Sequence, residues 1–255
     1  MTSDRERAVV GAFVELANSM VDGADTVDLL SSLTADCARL LGIASAGLLL
    51  ADARGVLHVV AASSERTRNL ELFQLQREQG PCLDCYHQGA AVTAPDLSRE
   101  AERWPQFVAA ATTAGFASVH ALPMRLQDKV LGTLGLFGTE VGPLGDDDVI
   151  LGQALAHVAT VALVSTRAAT DQSVVTEQLQ HALSSRVLIE QSKGLLAQLG
   201  NVEMHQAFTV LQRYARDHNE RLSDVARRLV TRELTGRQML DHALSKGALG
   251  GATNG

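Results

Sequence analysis

Apolar residues recur at helical spacing over residues 5–20, at Val9, Phe13, Leu16, Ala17 and Met20, which predicts an amphipathic helix. A second helix is expected over 26–41, where Val27, Leu30, Leu33, Thr34, Cys37, Leu40 and Leu41 share one face and Gly42 supplies a stop. Two short apolar runs, 46–51 and 56–62, flank Asp52-Ala53-Arg54-Gly55 and read as a hairpin. Gly80-Pro81 and Ala94-Pro95-Asp96 punctuate a helical middle. A second hairpin is expected from 119–126 and 130–137 across Gln127-Asp128-Lys129, followed by a helix over 146–166 with Asp146 as its cap. Helices, hairpin, helices, hairpin, helix is an α+β order built on an antiparallel sheet.

Residues 166–185 contain neither proline nor glycine. Val175, Ala182 and Ile189 repeat at seven with Leu179 between the first two, and this predicts a short coiled-coil seam that pairs two chains and breaks at Arg186. Three further helical patterns then follow: RVLIEQSKGLLAQL, EMHQAFTVLQRYARDHN and RLSDVARRLVTREL. The boundaries expected are 1–165 for the first domain, 166–185 for a helical linker, 186–236 for a three-helix bundle and 237–255 for a tail.

Charge divides the chain at the same place. Residues 1–183 hold 12 Lys+Arg against 22 Asp+Glu, net −10, whereas 184–255 hold 10 against 7, net +3. An acidic body with a small basic helical tail points to an input domain joined to a module that meets a polyanion. The start, MTSDRERAVVGAFVE, shows no small-residue cleavage site. The run 154–164 is too short to span a bilayer. Three cysteines do not make a disulfide framework. Together these features read as a soluble, cytoplasmic protein with no membrane partner.

The tail segment resembles an ANTAR domain, the RNA-binding output module of bacterial antitermination regulators. The motif Ile189-Glu190-Gln191-Ser192-Lys193-Gly194 matches its first helix, Ala207-Phe208 with Leu211, Tyr214 and Ala215 its second, and Leu222, Val225 and Ala226 its third. Ser192 stands where alanine is usual, and its hydroxyl can bond back to a carbonyl and bend the helix. The preceding domain resembles a GAF domain, through residues 80–97 (GPCLDCYHQGAAVTAPDL), the 104–115 helix and residues 119–138. The resemblance implies a signal-responsive antitermination regulator that acts as a dimer on RNA hairpin loops in nascent transcripts. A DNA-binding regulator and a protein–protein sensor without a nucleic acid partner are the alternatives.

The candidate chemistry is that of binding rather than catalysis: no P-loop, G-x-S-x-G or H-E-x-x-H occurs, and no metal site or cofactor is expected. Arg186, Gln191, Lys193, Arg213, Tyr214 and Arg216 are the candidate RNA contacts. Arg186 and Lys193 lie seven apart on one helix face, and Tyr214 sits between two cations, a combination suited to single-stranded loops. Cys82, Trp104, Phe107, His120 and Met124 are candidates to line a pocket for an unidentified small ligand, and each is equally a core residue. Cys82 and Cys85 form a C-x-x-C that is open to a redox reading, with structural packing preferred.

Overall fold

The computed structural model describes residues 2–21, 25–164 and 172–246. The chain divides into two compact units between Gln180 and His181.

The first unit opens with α1 (Thr2–Val21) and α2 (Thr26–Leu41). The Asp25 side chain accepts from the backbone N–H of Val27 at the start of α2, and Gly42 closes it in the left-handed region at φ 63°, where a residue without Cβ is unstrained. The strands are β1 (Ser45–Ala51), β2 (Leu57–Ala62), β3 (Val92–Ala94), β4 (Ser118–Leu126) and β5 (Lys129–Gly138), antiparallel in the order β2-β1-β5-β4-β3. Both expected hairpins are present. Between β2 and β3 come α3 (Glu65–Arg77) and α4 (Pro81–Gln88). A 3-10 turn (Leu97–Glu100) and α5 (Pro105–Thr113) precede β4, and α6 (Asp146–Val164) follows β5. The backbone N–H of Val149 bonds to the Gly145 carbonyl, so Gly145 rather than Asp146 occupies the capping position.

Every residue of β1 is buried because the sheet is covered on both sides. Helices α2 and α6 pack on one face, and α3, α4 and α5 lie on the other. Helix α6 is long and apolar enough to cross a bilayer by length and composition, but its buried face packs against α2, β4 and β5. The register pairs Gly47 of β1 with Gly135 of β5. Those two glycines leave a recess in the middle of the sheet, and the Glu71 carboxyl of α3 fills it: a Cβ at either position would stand 2.7 Å from Glu71 Oε1.

The second unit contains α7 (Gln172–Gly200) from His181 onward, then α8 (Met204–Asp217), α9 (Leu222–Val230) and α10 (Gly236–Ser245). The expected three-helix bundle therefore has a fourth member, lying where a tail was expected. A reciprocal Thr235–Gln238 capping box starts α10, and Met239, Leu240 and Ala243 bury one of its faces. Ends of α7 and α10 meet closely: a Cβ at Gly200 would touch Leu240, and one at Gly236 would touch Leu199. Ile189, Leu196, Ala207, Leu211, Val225, Ala226 and Leu229 fill the interior. The Ser192 hydroxyl donates not to its own helix but across to the Ala226 carbonyl of α9, at 3.0 Å. It ties two helices together where a bend in one was expected.

Candidate functional site

Cys82, Trp104 and Phe107 come together in one buried cluster with Cys85, Val119, Ala121 and Phe137, on the α3–α5 side of the sheet. Trp104 meets Phe107 edge-on at 6.2 Å, and its indole N–H donates to Asp84 at 3.3 Å. His120 and Met124, expected to line the same cavity, are divided from these residues by the sheet. Successive strand residues point to opposite faces, so if Val119 and Ala121 face α4, then His120, Leu122 and Met124 face α2 and α6. The contact of Leu122 with Gly152 of α6 agrees. His120 lines a cavity of about 460 Å³ with Gly42, Ile43, Ser118 and the 138–145 loop. A second opening of about 640 Å³ lies between α3 and α5, among Arg66, Leu70, Phe73, Gln106 and Ala110. Cys82, Trp104, Phe107 and Met124 line neither.

Below Cys82 is a polar group that residue patterning left unmarked. Glu71 is fully buried. It accepts from the Gln74 amide, and the Cys82 thiol lies 3.6 Å from it. Gln74 in turn accepts from the backbone N–H of Cys82, so the pair fixes the start of α4. Burial pushes the Glu71 carboxyl up to about 8, and burial, followed by the neighbouring Glu71 and Cys85 charges, raises the Cys82 thiol. Cys85 is pushed up to about 12 by burial. Thiols held protonated in this way are poor nucleophiles. The signal for Glu71 was available: Thr67, Leu70, Glu71 and Gln74 fall at helical spacing, a buried face carrying polar residues.

In the second unit Lys193 and Arg186 do share a face, but both are buried, at 4% and 8% exposure. Glu190 lies between them, 2.6 Å from Arg186 and 3.2 Å from the Lys193 ammonium. Lys193 Nζ also sits 5.6 Å from the centre of the Phe208 ring, which is half-buried rather than fully in the core. Lys193 is thus a packed, ion-paired group and not the open cation the motif suggested. Gln191 is exposed, and nothing lies within 4 Å of a Cβ built on Gly194. Tyr214 is 9% exposed and already stacked, ring against ring, on His218 at 4.0 Å. Arg213 is half-buried and Arg216 exposed, and neither forms an ion pair among the described residues. By contrast, Arg227 pairs with Asp224 and Arg228 with Glu220. Of the seam positions, Ala182 is buried, whereas the side chains of Val175 and Leu179 lie outside the described residues.

A family model for the GAF domain matches residues 23–164, more than half of the chain, and one for the ANTAR domain matches residues 177–230. No curated protein matches. Among solved structures the chain is similar to the GAF domain of an Acinetobacter phosphoenolpyruvate-protein phosphotransferase, at 12% identity, covering 72% of this chain and 97% of that one with a TM-score of 0.49. It is also similar to the free methionine-R-sulfoxide reductase of Neisseria meningitidis in complex with its substrate, at 13% identity, 71% and 91% coverage and a TM-score of 0.44. The phycoerythrobilin-bound GAF domain of a cyanobacterial phytochrome is a third, at 15% identity, 62% and 94% coverage and a TM-score of 0.46. The five-stranded antiparallel sheet carrying helices on both faces, the helical unit after it and the two family matches lead to one assignment: the chain belongs to the GAF–ANTAR regulators, joining a signal-sensing domain to an RNA-binding antitermination domain, both regulatory rather than catalytic in kind.

Proposed function

We propose that this regulator acts in the cytoplasm as a homodimer, binding hairpin loops in nascent RNA and so disfavouring a transcription terminator when its GAF domain receives a signal. Residues 166–185 serve as the pairing linker in this reading. The observation that carries the RNA contact is the cation pair Arg213 and Arg216 on α8, on a unit of net positive charge: neither has a carboxylate within ion-pair distance among the described residues, though the charge of Arg213 acts on Asp217. Arg186 and Lys193 both lie against the Glu190 carboxylate on the same face of α7.

Full-length protein should bind a hairpin with an unpaired loop more tightly than duplex DNA or loopless duplex RNA. Arg213→Ala with Arg216→Ala should weaken that binding and lower the slope of log affinity against log salt by about 1 for each phosphate no longer neutralised. A wild-type protein without preference for the looped RNA ends the proposal. Burial of Lys193 against Glu190 favours a second reading, a protein–protein sensor without nucleic acid, and the same titration separates the two.

Pairing is tested apart from RNA. Val175→Asp with Leu179→Asp should convert a dimer to a monomer in light scattering, because each chain would carry two charges into an apolar seam. A wild-type monomer at micromolar concentration overturns the paired arrangement.

A further inference from the structure

We infer that His218, at the turn between α8 and α9, is the stacking platform for an unpaired base of the RNA loop, with Tyr214 as its backing rather than the contact itself. This rests on the RNA-binding reading above. The two rings lie 4.0 Å apart at 16°, so each covers one face of the other. Tyr214 is buried and presents little surface, whereas His218 is exposed. The His218 ring is also held in place. Its Nδ1 lies 2.8 Å from the Tyr214 carbonyl, and a carbonyl only accepts, so Nδ1 carries the proton and Nε2 is left to a partner outside. A ring fixed by a backbone bond and a parallel neighbour loses little further freedom when a base settles on it, which is what a stacking site needs.

The surroundings suit a nucleotide. The His242 ring stands 5.1 Å from His218 and edge-on to Tyr214, making a three-ring cluster. His242 bonds to Asp217 at 2.8 Å, and this bond, followed by the charges of His242, Arg213 and Lys246, lowers the Asp217 carboxyl. The one carboxylate touching the cluster among the described residues is therefore held by the protein's own His242. Arg216, two residues before His218, is exposed. Bases stack on aromatic faces while neighbouring cations take the phosphates, and such stacking tolerates any base.

The test uses full-length protein and two labelled hairpins with the same stem, one with an adenine loop and one with an abasic loop. Wild type should bind the adenine loop about tenfold or more tightly than the abasic one, on the order of one stacked base. His218→Leu should remove that difference, and His218→Phe, which keeps a flat ring, should restore it. The His218→Leu effect should be the same at low and high salt, unlike that of the arginine variants. If wild type binds both loops equally, or if His218→Leu leaves the adenine preference intact, the platform is refuted while the RNA reading stands. If wild type binds neither hairpin, both fall. A circular dichroism spectrum identical to wild type separates loss of stacking from loss of the bundle.

Discussion

Glu71→Gln should remove the loss of GAF-domain stability that the Glu71 carboxyl imposes on the wild-type protein as pH rises from 5 to 8. Glu71 sits in the recess between Gly47 and Gly135 without exposure to water, and burial pushes its carboxyl up to about 8. In the unfolded chain the same group ionises near 4.3. A folded pKa above the unfolded one means that the full stabilisation is present below the unfolded value. It declines as pH rises, because only the unfolded state releases the proton easily. From pH 5 to pH 7 the decline is roughly 2–3 kcal/mol at 1.36 kcal/mol per unit, a large part of the 5–15 kcal/mol typical of a domain. Glutamine keeps an acceptor for the Gln74 amide and cannot ionise. Urea midpoints of both proteins at pH 5, 6, 7 and 8 measure the effect, and parallel slopes would refute it.

Gly132→Ala should destabilise the same domain by about 3 kcal/mol or more. A Cβ at Gly132 would lie 2.0 Å from the Leu49 carbonyl oxygen on the adjacent strand, so the obstruction is backbone and β1 must part from β5. Gly194→Ala is the matched comparison. Its Cβ meets nothing within 4 Å, and alanine in a helix gains about 0.5–1 kcal/mol over glycine. The two substitutions should therefore move thermal unfolding in opposite directions. A Gly132→Ala protein that melts with the wild type would mean that the strands do not approach this closely.

Hydropathy alone reached the helices and hairpins that have strong periodicity and clear ends. Helix α2 has both an apolar face and Gly42, and its expected limits agree with the structure. What escaped was organised by long-range contact. Strand β3 has three residues and exists only by pairing with β4. Helix α10 opens on a glycine after Thr235 and carries exposed Leu244 beside buried Met239, so beyond its capping box it is packing against α8 that distinguishes it from a tail. The site shows the same division. Spacing placed Arg186 and Lys193 on one face correctly, but Glu190 between them is on that face too, and the ion pairs depend on burial that spacing does not reveal. His120 was grouped with Trp104 by residue type, while the alternation of β4 sends it to the opposite side. Tyr214 was singled out as an aromatic among arginines, yet the exposed ring of its stacked pair belongs to His218, four residues on and one helical turn away.

The crossing of α7 and α10 constrains how these sequences can drift. Gly200 receives Leu240, and Gly236 receives Leu199, so each helix offers a gap where the other offers bulk. At such a contact the combined volume is fixed while its distribution is not. A larger side chain at 200 demands a smaller one at the buried position 240, whereas Leu199, 63% exposed, can swing its tip away from a Cβ at 236. Substitutions at 200 and 240 should be coupled in their effect on stability. Descent therefore couples the first helix of the RNA-binding unit to a helix that begins after residue 230, where the ANTAR match ends.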